Sequence, residues 1–230
     1  MSTLPGPIFT NPVWSALQSH HRHFAQSAEK AARYPADVAP FVAVSQPTAA
    51  AMRHLHSLLV PGEQVCLIGE TYPLHDFHVD GTIGVLQMVL PEGIDPPDPD
   101  KTELLELTAA QAGEMVALTD LAFPGYFRQK TCEMGRYYGV RRAGELIAMG
   151  GERLMHDGYA EISGVCTHPA HRGQGLAASL IWQLVRDHRR QGVISWLHVG
   201  SANQRAIDLY ERMGFKKVRE VALHRISRKD

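Results

Sequence analysis

The chain has 230 residues, of which 44% are hydrophobic and 20% charged, so it can bury a core without disulfides or metals. The chain has 23 Lys and Arg residues and 24 Asp and Glu residues, which gives a formal charge of −1. It therefore lacks the excess positive charge that is typical of nucleic-acid-binding proteins. No apolar run approaches the ~20 residues that cross a bilayer, and the N-terminus lacks a signal-peptide pattern. We expect a cytoplasmic protein with neither a nucleic-acid nor a membrane partner.

Cysteine and histidine usage gives no sign of a metal centre. Cys66, Cys132 and Cys166 are few and widely spaced, which is neither a disulfide framework nor a CxxC metal pair and agrees with an intracellular setting. The 13 histidines include local clusters, but none has an HExxH or two-Cys, two-His spacing. We therefore predict no metal site.

The N-terminal part reads as a small α/β unit. Asn11-Pro12 is typical of a helix start, and a second helix is expected from Thr48 to the Pro61-Gly62 break. Short apolar runs at 41–44, 63–69 and 82–90 predict strands. This part shows no catalytic constellation and no cofactor motif of its own.

The segment 91–101 holds four prolines and three aspartates. Proline removes an N–H and disfavours the helical region for the residue before it, so no helix or central strand is expected here. We predict a linker between an N-terminal domain at 1–90 and a second domain at 102–230.

The C-terminal part alternates helices and strands. Thr108 and Gln111 have a capping-box spacing, which predicts a helix to about Ala122 and then a short helix around 128–135. Ser201 and Gln204 repeat that spacing before another helix. The other expected elements are strands at 136–141, 145–155, 160–168, 195–199 and 216–226 and a helix from about 175 to Gly192.

The turn HRGQGLA at 171–177 follows a strand and opens a helix. A helix N-terminus offers unpaired N–H groups and a positive dipole end, and Gly173 and Gly175 let a ligand approach the backbone. With the charge of Arg172, this suits a phosphate or pyrophosphate. The spacing matches neither the Rossmann nor the P-loop motif, and the alternative is a plain glycine-rich turn with an exposed arginine.

Two blocks of the C-terminal part resemble the GNAT superfamily of acyl-CoA-dependent N-acyltransferases, over about 106–226. The block VCTHPAHRGQGLA is similar to its pyrophosphate motif R/Q-x-x-G-x-G/A. The block at 203–215 is similar to N-x-x-A-x-x-x-Y-x-x-x-G-F. The matching residues are Arg172, Gly175, Ala177, Asn203, Ala206, Tyr210, Gly214 and Phe215.

The resemblance implies a GNAT fold, an α/β class with a mixed α+β sheet, and acetyl-CoA as co-substrate. It also implies that two parallel strands splay apart where acetyl-CoA enters, with backbone groups pairing with the pantetheine arm and amides holding the pyrophosphate. The residues assigned to binding in this way are Val165, Cys166, Thr167, Arg172, Gly173, Gln174, Gly175, Leu176, Ala177, Asn203 and Tyr210.

Three residues are candidates for proton transfer. Tyr210 matches the tyrosine that acts as general acid in many family members, and its alternative is a core aromatic. His198 stands where several members carry a glutamate base, and its alternative is packing beside the crevice. Glu161 is the rival base or a structural ion-pair partner. Cys166 has no base supplied by the sequence, so a nucleophilic role is disfavoured.

The function expected from these residues is transfer of an acetyl group to a primary amine of a small molecule, amino acid or peptide. A non-catalytic acyl-CoA sensor and an enzyme for longer acyl-CoA are the alternatives. The resemblance puts the acceptor pocket at about 121–136, with Phe123, Tyr126, Phe127 and Arg128. The N-terminal domain is expected to be a degenerate GNAT-like domain or another small α/β domain. It either walls off the acceptor side or serves stability or a homodimer.

Overall fold

The computed structural model describes residues 9–69 and 72–229, a part of the chain that includes five α-helices and one mixed sheet. The helices are α1 (Pro12–Gln18), α2 (Ala49–Leu58), α3 (Ala112–Asp120), α4 (Leu176–Arg190) and α5 (Gln204–Arg212). The strands are β1 (Gln26–Ala28), β2 (Ala31–Arg33), β3 (Phe41–Val44), β4 (Gln64–Gly69), β5 (Phe77–Val89), β6 (Leu105–Leu107), β7 (Tyr137–Arg142), β8 (Glu145–His156), β9 (Tyr159–Thr167), β10 (Ile194–Gly200) and β11 (Lys216–Arg228). The predicted α/β class with a mixed sheet is confirmed.

The strand order ties the two parts of the chain together. It runs β1-β2-β3-β4-β11-β5-β10-β9-β8-β7-β6, so β5 from the N-terminal part lies between β10 and β11 and pairs antiparallel with both. As its prolines predict, the segment 91–101 contains neither helix nor strand. The division into domains at 1–90 and 102–230 stays a prediction, but the two parts share one sheet.

The sheet curls strongly on itself. In the strand order, β3 and β8 are separated by five other strands, which in a flat sheet would put them roughly 29 Å apart. The Arg153 guanidinium carbon on β8 is nevertheless 4.6 Å from the centre of the Phe41 ring on β3. Sheet twist accumulates over many strands, and here it brings side chains of β3 and β8 together across a concave face.

The two faces of the sheet carry separate cores. On the concave face, α1 packs with apolar side chains that include Phe41, Leu154 and Trp196. On the opposite, convex face, α4 and α5 pack over the middle of the sheet, with Ile162 and Leu197 between them and the strands. Helix α2 covers β3 and β4 on that same face. Within the described residues, no helix is long and apolar enough to cross a membrane.

Several local expectations need adjustment. The capping box at Thr108 and Gln111 is confirmed, although it opens a 3-10 turn that leads into α3. The predicted helix at 128–135 is only a 3-10 turn over Thr131–Met134. The second predicted capping box is wrong, because Asn203 is the N-cap of α5 and its Oδ1 accepts from the Ala206 N–H at 3.2 Å. The Ser201 N–H instead donates to the Gly84 carbonyl and extends the sheet. The short strands β1, β2 and β6 were not predicted, because segments of three residues show no hydrophobic periodicity.

Candidate active site

Two neighbouring parallel strands separate in the middle of the sheet. Strands β9 and β10 pair from Ile194 and Tyr159 to Leu197 and Ile162, and their pairing ends there. Beyond that point β10 stays with β5, while β9 stays with β8. The backbone of 163–167 therefore has no β10 neighbour, and a ligand can take that place.

A bulge in β9 bends the strand at the start of this gap. Between the pairs Met149–Cys166 and Gly151–Ser163, two residues of β9 face one residue of β8. One of them is Gly164, whose φ of 67° is a left-handed conformation that favours glycine. A Cβ at Gly164 would also lie 3.3 Å from Cε1 of Tyr137. The strand can turn here because no side chain is present.

A cavity of about 520 Å³ lies at the splay on the side of α4 and α5. It is lined by all of the residues that the sequence assigns to binding, from Val165 on β9 to Tyr210 on α5. The lining adds Ala122 and Phe123, which follow α3, and Arg205 and Arg212 from α5. The structure thus brings the two motif blocks together around one space.

One end of the cavity suits a pyrophosphate. Gly175 is the N-cap of α4 with a φ of 79°, and the first N–H groups of a helix have no intrahelical partners. No atom lies within 4 Å of the Cβ positions that Gly173 and Gly175 would have, so a ligand can reach these amides. Arg172, Arg205 and Arg212 line the same space. The donors and the charge fit the diphosphate of CoA.

Replacing Gly175 tests this end of the cavity. Gly175→Val is expected to weaken CoA binding at least about 10-fold, because a β-branched residue strains the left-handed turn and fills the open approach. Gly192→Val is the matched control, since Gly192 ends the same helix with a φ of 69° and open space around it. Calorimetric titration with CoA compares the two variants. Equal affinities for CoA would contradict the assignment.

Tyr210 lies both in the core and on the cavity. Its ring packs with Phe215 at 5.7 Å in the convex-face core, as expected of a core aromatic. The residue also lines the cavity, and burial raises the pKa of its phenol to about 12. A phenol that keeps its proton at neutral pH is what a general acid requires.

His198 and Glu161 do not line this cavity but lie on the concave side of the splay. His198 is the first β10 residue after the last pair with β9, and its Nδ1 is 2.7 Å from Oε1 of Glu161. Glu161 is fully buried and also binds the Arg153 guanidinium through two contacts, at 2.5 and 2.9 Å. Glu161 is therefore an ion-pair partner of Arg153, which was one of the two alternatives expected for it.

The charge on Glu161 is fixed by its neighbours. Burial alone would raise the pKa of this carboxyl, but Arg153 and His198 outweigh burial and lower the pKa to about 2. A carboxylate with so low a pKa is a weak proton acceptor near neutral pH. Its geometry suits holding the His198 ring, with Nδ1–H donating to the carboxylate and Nε2 left as the acceptor.

Gln87 is a site residue that the sequence reasoning missed. It is fully buried on β5, directly opposite His198 in the register, and its Nε2 lies 3.1 Å from Nε2 of His198. The Gln87 Oε1 is also buried and has no hydrogen-bond partner. The sequence feature that could have indicated this role is that Gln87 is the one amide side chain in the apolar run 82–90. The N-terminal part therefore does contribute to the site.

The Cys166 thiol is poorly suited to nucleophilic attack. It is buried against β8, and burial raises its pKa to about 12. A protonated thiol agrees with the view that this residue acts through its backbone.

The Glu161–Arg153 pair should make this region sensitive to acid. The folded-state pKa of Glu161 lies below its ordinary value, so its stabilisation is present above about pH 4.5 and lost as the pH falls toward 2. Glu161→Gln should lower the free energy of unfolding by about 3–5 kcal/mol at pH 7, because Arg153 is left buried without a counter-ion. The difference from wild type should shrink below pH 4.

Denaturant titrations at several pH values measure this difference. Glu114→Gln is the control, because its pair with Arg141 is largely exposed and its loss should change stability little. A Glu161→Gln deficit that stays constant from pH 7 to pH 3 would contradict the account.

Comparison with known proteins decides the family. The model of the acetyltransferase (GNAT) family matches residues 103–215. A solved structure described as a GNAT-family acetyltransferase from Novosphingobium aromaticivorans has a TM-score of 0.88 and 30% identity, covering 96% of this chain and 99% of that one. The chain belongs to the GNAT acetyltransferase family. It is therefore a transferase, and the resemblance seen in its two motif blocks is confirmed.

Other matches are more distant. The [ribosomal protein bS18]-alanine N-acetyltransferase of Escherichia coli K12 is 27% identical over 117 residues, which are 49% of this chain and 78% of that protein. A GCN5-related N-acetyltransferase from Kribbella flavida has a TM-score of 0.64 at 18% identity, covering 94% of each chain, and shows the shared fold alone. Within the described part of this GNAT protein, no group of three or more His, Cys, Asp or Glu side chains is placed to hold a metal ion.

Proposed function

We propose that this GNAT protein transfers the acetyl group of acetyl-CoA directly to a primary amine of a small molecule, amino acid or peptide, with both reactants bound at once. The observation that carries the proposal is the splay of β9 and β10. At this splay the cavity of about 520 Å³ lies on the convex side, and a buried polar group formed by Gln87, His198 and Glu161 lies on the concave side. The alanine N-acetyltransferase relative acts on an amine, which supports this class of acceptor.

Acetyl-CoA supplies the activated acyl group, and the chain positions it. The amides at the start of α4 and the Arg172 charge hold the diphosphate. The free backbone of Val165 to Thr167 pairs with the pantetheine arm as a neighbouring strand would. An N–H of this stretch then faces the thioester oxygen, where negative charge develops. Holding both reactants in one complex removes a large entropic part of the barrier.

Two side chains move the protons. Tyr210 donates its phenolic proton to the departing sulfur. His198, oriented by Glu161, accepts the amine proton at Nε2 through a water molecule that displaces the Gln87 N–H from that atom. When Nε2 is protonated, the Gln87 amide can turn over, and its unpartnered Oε1 accepts the new N–H. Gln87 thus stabilises either protonation state of the ring.

A direct assay separates this function from its alternatives. The full-length protein is incubated with acetyl-CoA and a panel of amines, and both free thiol and acetylated product are measured. Thiol release should require an amine, and the rate should fall from acetyl- to propionyl- to butyryl-CoA. CoA binding without amine-dependent thiol release would identify a sensor, and a preference for butyryl-CoA would identify a longer-chain acyltransferase.

A further inference from the structure

Three arginines from separate parts of the chain converge at the concave face. Arg153 comes from β8, Arg225 from β11, and Arg128 from the segment that follows α3. Burial raises the pKa of the Cys66 thiol on β4, and the charges of all three arginines act to lower it. Cys66 and Arg225 are direct partners in the β4–β11 register. Phe41 is the partner of Cys66 on the other side, in the β3–β4 register, and the Arg153 guanidinium lies 4.6 Å from its ring centre. Arg153 and Arg225 therefore lie near Cys66, and the charge of Arg128 acts on the same thiol.

Only one of these charges is neutralised by a carboxylate. Arg153 is held by Glu161 through two contacts. Arg225 has a neutral partner, since its Nη2 donates to the Tyr126 hydroxyl at 3.2 Å and its guanidinium lies 5.5 Å from that ring's centre.

Arg128 has a buried Nε with no hydrogen-bond partner. The carboxylate on which its charge acts, Glu63, is already bound by both terminal nitrogens of Arg33. Among residues 9–69 and 72–229, neither Arg128 nor Arg225 forms an ion pair with a carboxylate. Half-buried guanidinium groups without a counter-ion favour the binding of an anion that is not part of the chain.

The two unpaired arginines lie across the splay from the CoA cavity. The segment that carries Tyr126 and Arg128 also places Phe123 in the cavity lining, and Phe127 lies near Gly164, at 3.7 Å from the Cβ position of that glycine. The same segment is fixed to the opposite wall, where the Thr131 hydroxyl donates to the Val38 carbonyl at 2.6 Å. A molecule that meets the thioester from the concave side therefore approaches beside this segment.

We infer that the acceptor amine carries a carboxylate group, which binds Arg225 and Arg128. The inference rests on the proposed acetyl transfer and narrows its acceptor to amino acids or other amino-carboxylic acids. Guanidinium groups bind carboxylates through paired hydrogen bonds, whereas an amide or a second amine offers no negative charge. A peptide N-terminus without a nearby carboxylate fits this surface poorly.

Matched acid and amide substrates test the inference. For each amino acid of a panel that varies the distance from amine to carboxylate, kcat/KM is measured with the full-length protein for the free acid and for its carboxamide. In the best pair the acid should be preferred by about 10- to 100-fold, because a hydrogen bond to a charged group is lost in the amide. Equal values in every pair would overturn the inference.

Variants locate the effect. Arg225→Gln and Arg128→Gln should raise KM for the acid far more than KM for the amide, which removes most of the acid preference, and should leave the affinity for CoA unchanged. Arg53→Gln, which removes an exposed charge from α2, is the control and should keep the preference. Equal losses for acid and amide in the two site variants would overturn the inference.

A binding measurement covers the case in which no panel amine is turned over. With CoA present, N-acetyl amino acids and their N-acetyl amides are titrated calorimetrically into the wild type and Arg225→Gln. Tighter binding of the acids that Arg225→Gln abolishes would support the carboxylate site, even if the transfer itself failed. No difference between acids and amides would overturn it, even if CoA bound normally.

Discussion

A chain that begins at Lys101 is expected to lose its cooperative fold. It lacks β5, which pairs with β10 on one side and along nearly all of β11 on the other. It also lacks Met88 and Leu90 from the convex-face core and Val85 and Val89 from the concave-face core. Each large buried apolar side chain removed from a core costs about 2–5 kcal/mol, against a total stability of about 5–15 kcal/mol.

Circular dichroism and thermal unfolding measure this loss. A full-length protein cleaved only within 91–101 is the control, because that segment has no regular structure and the two pieces should stay joined through the sheet. The prediction would be contradicted if the fragment from Lys101 folded alone and acetylated the same amines with an unchanged KM. The N-terminal part would then also form no part of the acceptor site.

Tyr210→Phe is expected to lower kcat by about 100-fold or more while leaving CoA affinity unchanged. The substitution keeps the ring that packs in the convex-face core and removes only the hydroxyl. The wild-type phenol is protonated at neutral pH and available as a donor, and burial, which raises its pKa to about 12, keeps it so in alkaline solution as well. Steady-state kinetics and calorimetry on the same preparations give both quantities.

Tyr159→Phe is the matched control for this substitution. Tyr159 starts β9, at the end of the strand away from the splay, and should tolerate loss of its hydroxyl without a change in rate. If Tyr210→Phe were as fast as wild type, Tyr210 would be a core residue alone. A parallel fall in CoA affinity would instead indicate that the hydroxyl serves binding.

The side of the site that we assign to CoA was predictable because its residues are continuous in sequence. The turn at 171–177 and the block at 203–215 each carry a fixed spacing, and helix geometry brings each spacing to one end of a helix. The sequence also predicted that the two blocks meet at one cavity, because it places one helix and one strand between them. The structure brings them together there.

The concave side depends on pairings that local patterns do not encode. His198 and Glu161 were each foreseen, but their hydrogen bond depends on the β9–β10 register. Gln87 reaches them only because β5 inserts beside β10 from more than a hundred residues away. The approach of Arg153 to Phe41 depends on the curl of the whole sheet, a property that sequence periodicity does not report.

The central claim is direct transfer of the acetyl group from acetyl-CoA to an amine in the β9–β10 gap. A single-turnover experiment with acetyl-labelled acetyl-CoA and an excess of full-length protein tests it most directly. We predict that the label stays on CoA until an amine is added and then passes to that amine, with none on the protein. Label bound covalently to the protein before amine addition, at Cys166 or elsewhere, would contradict the account.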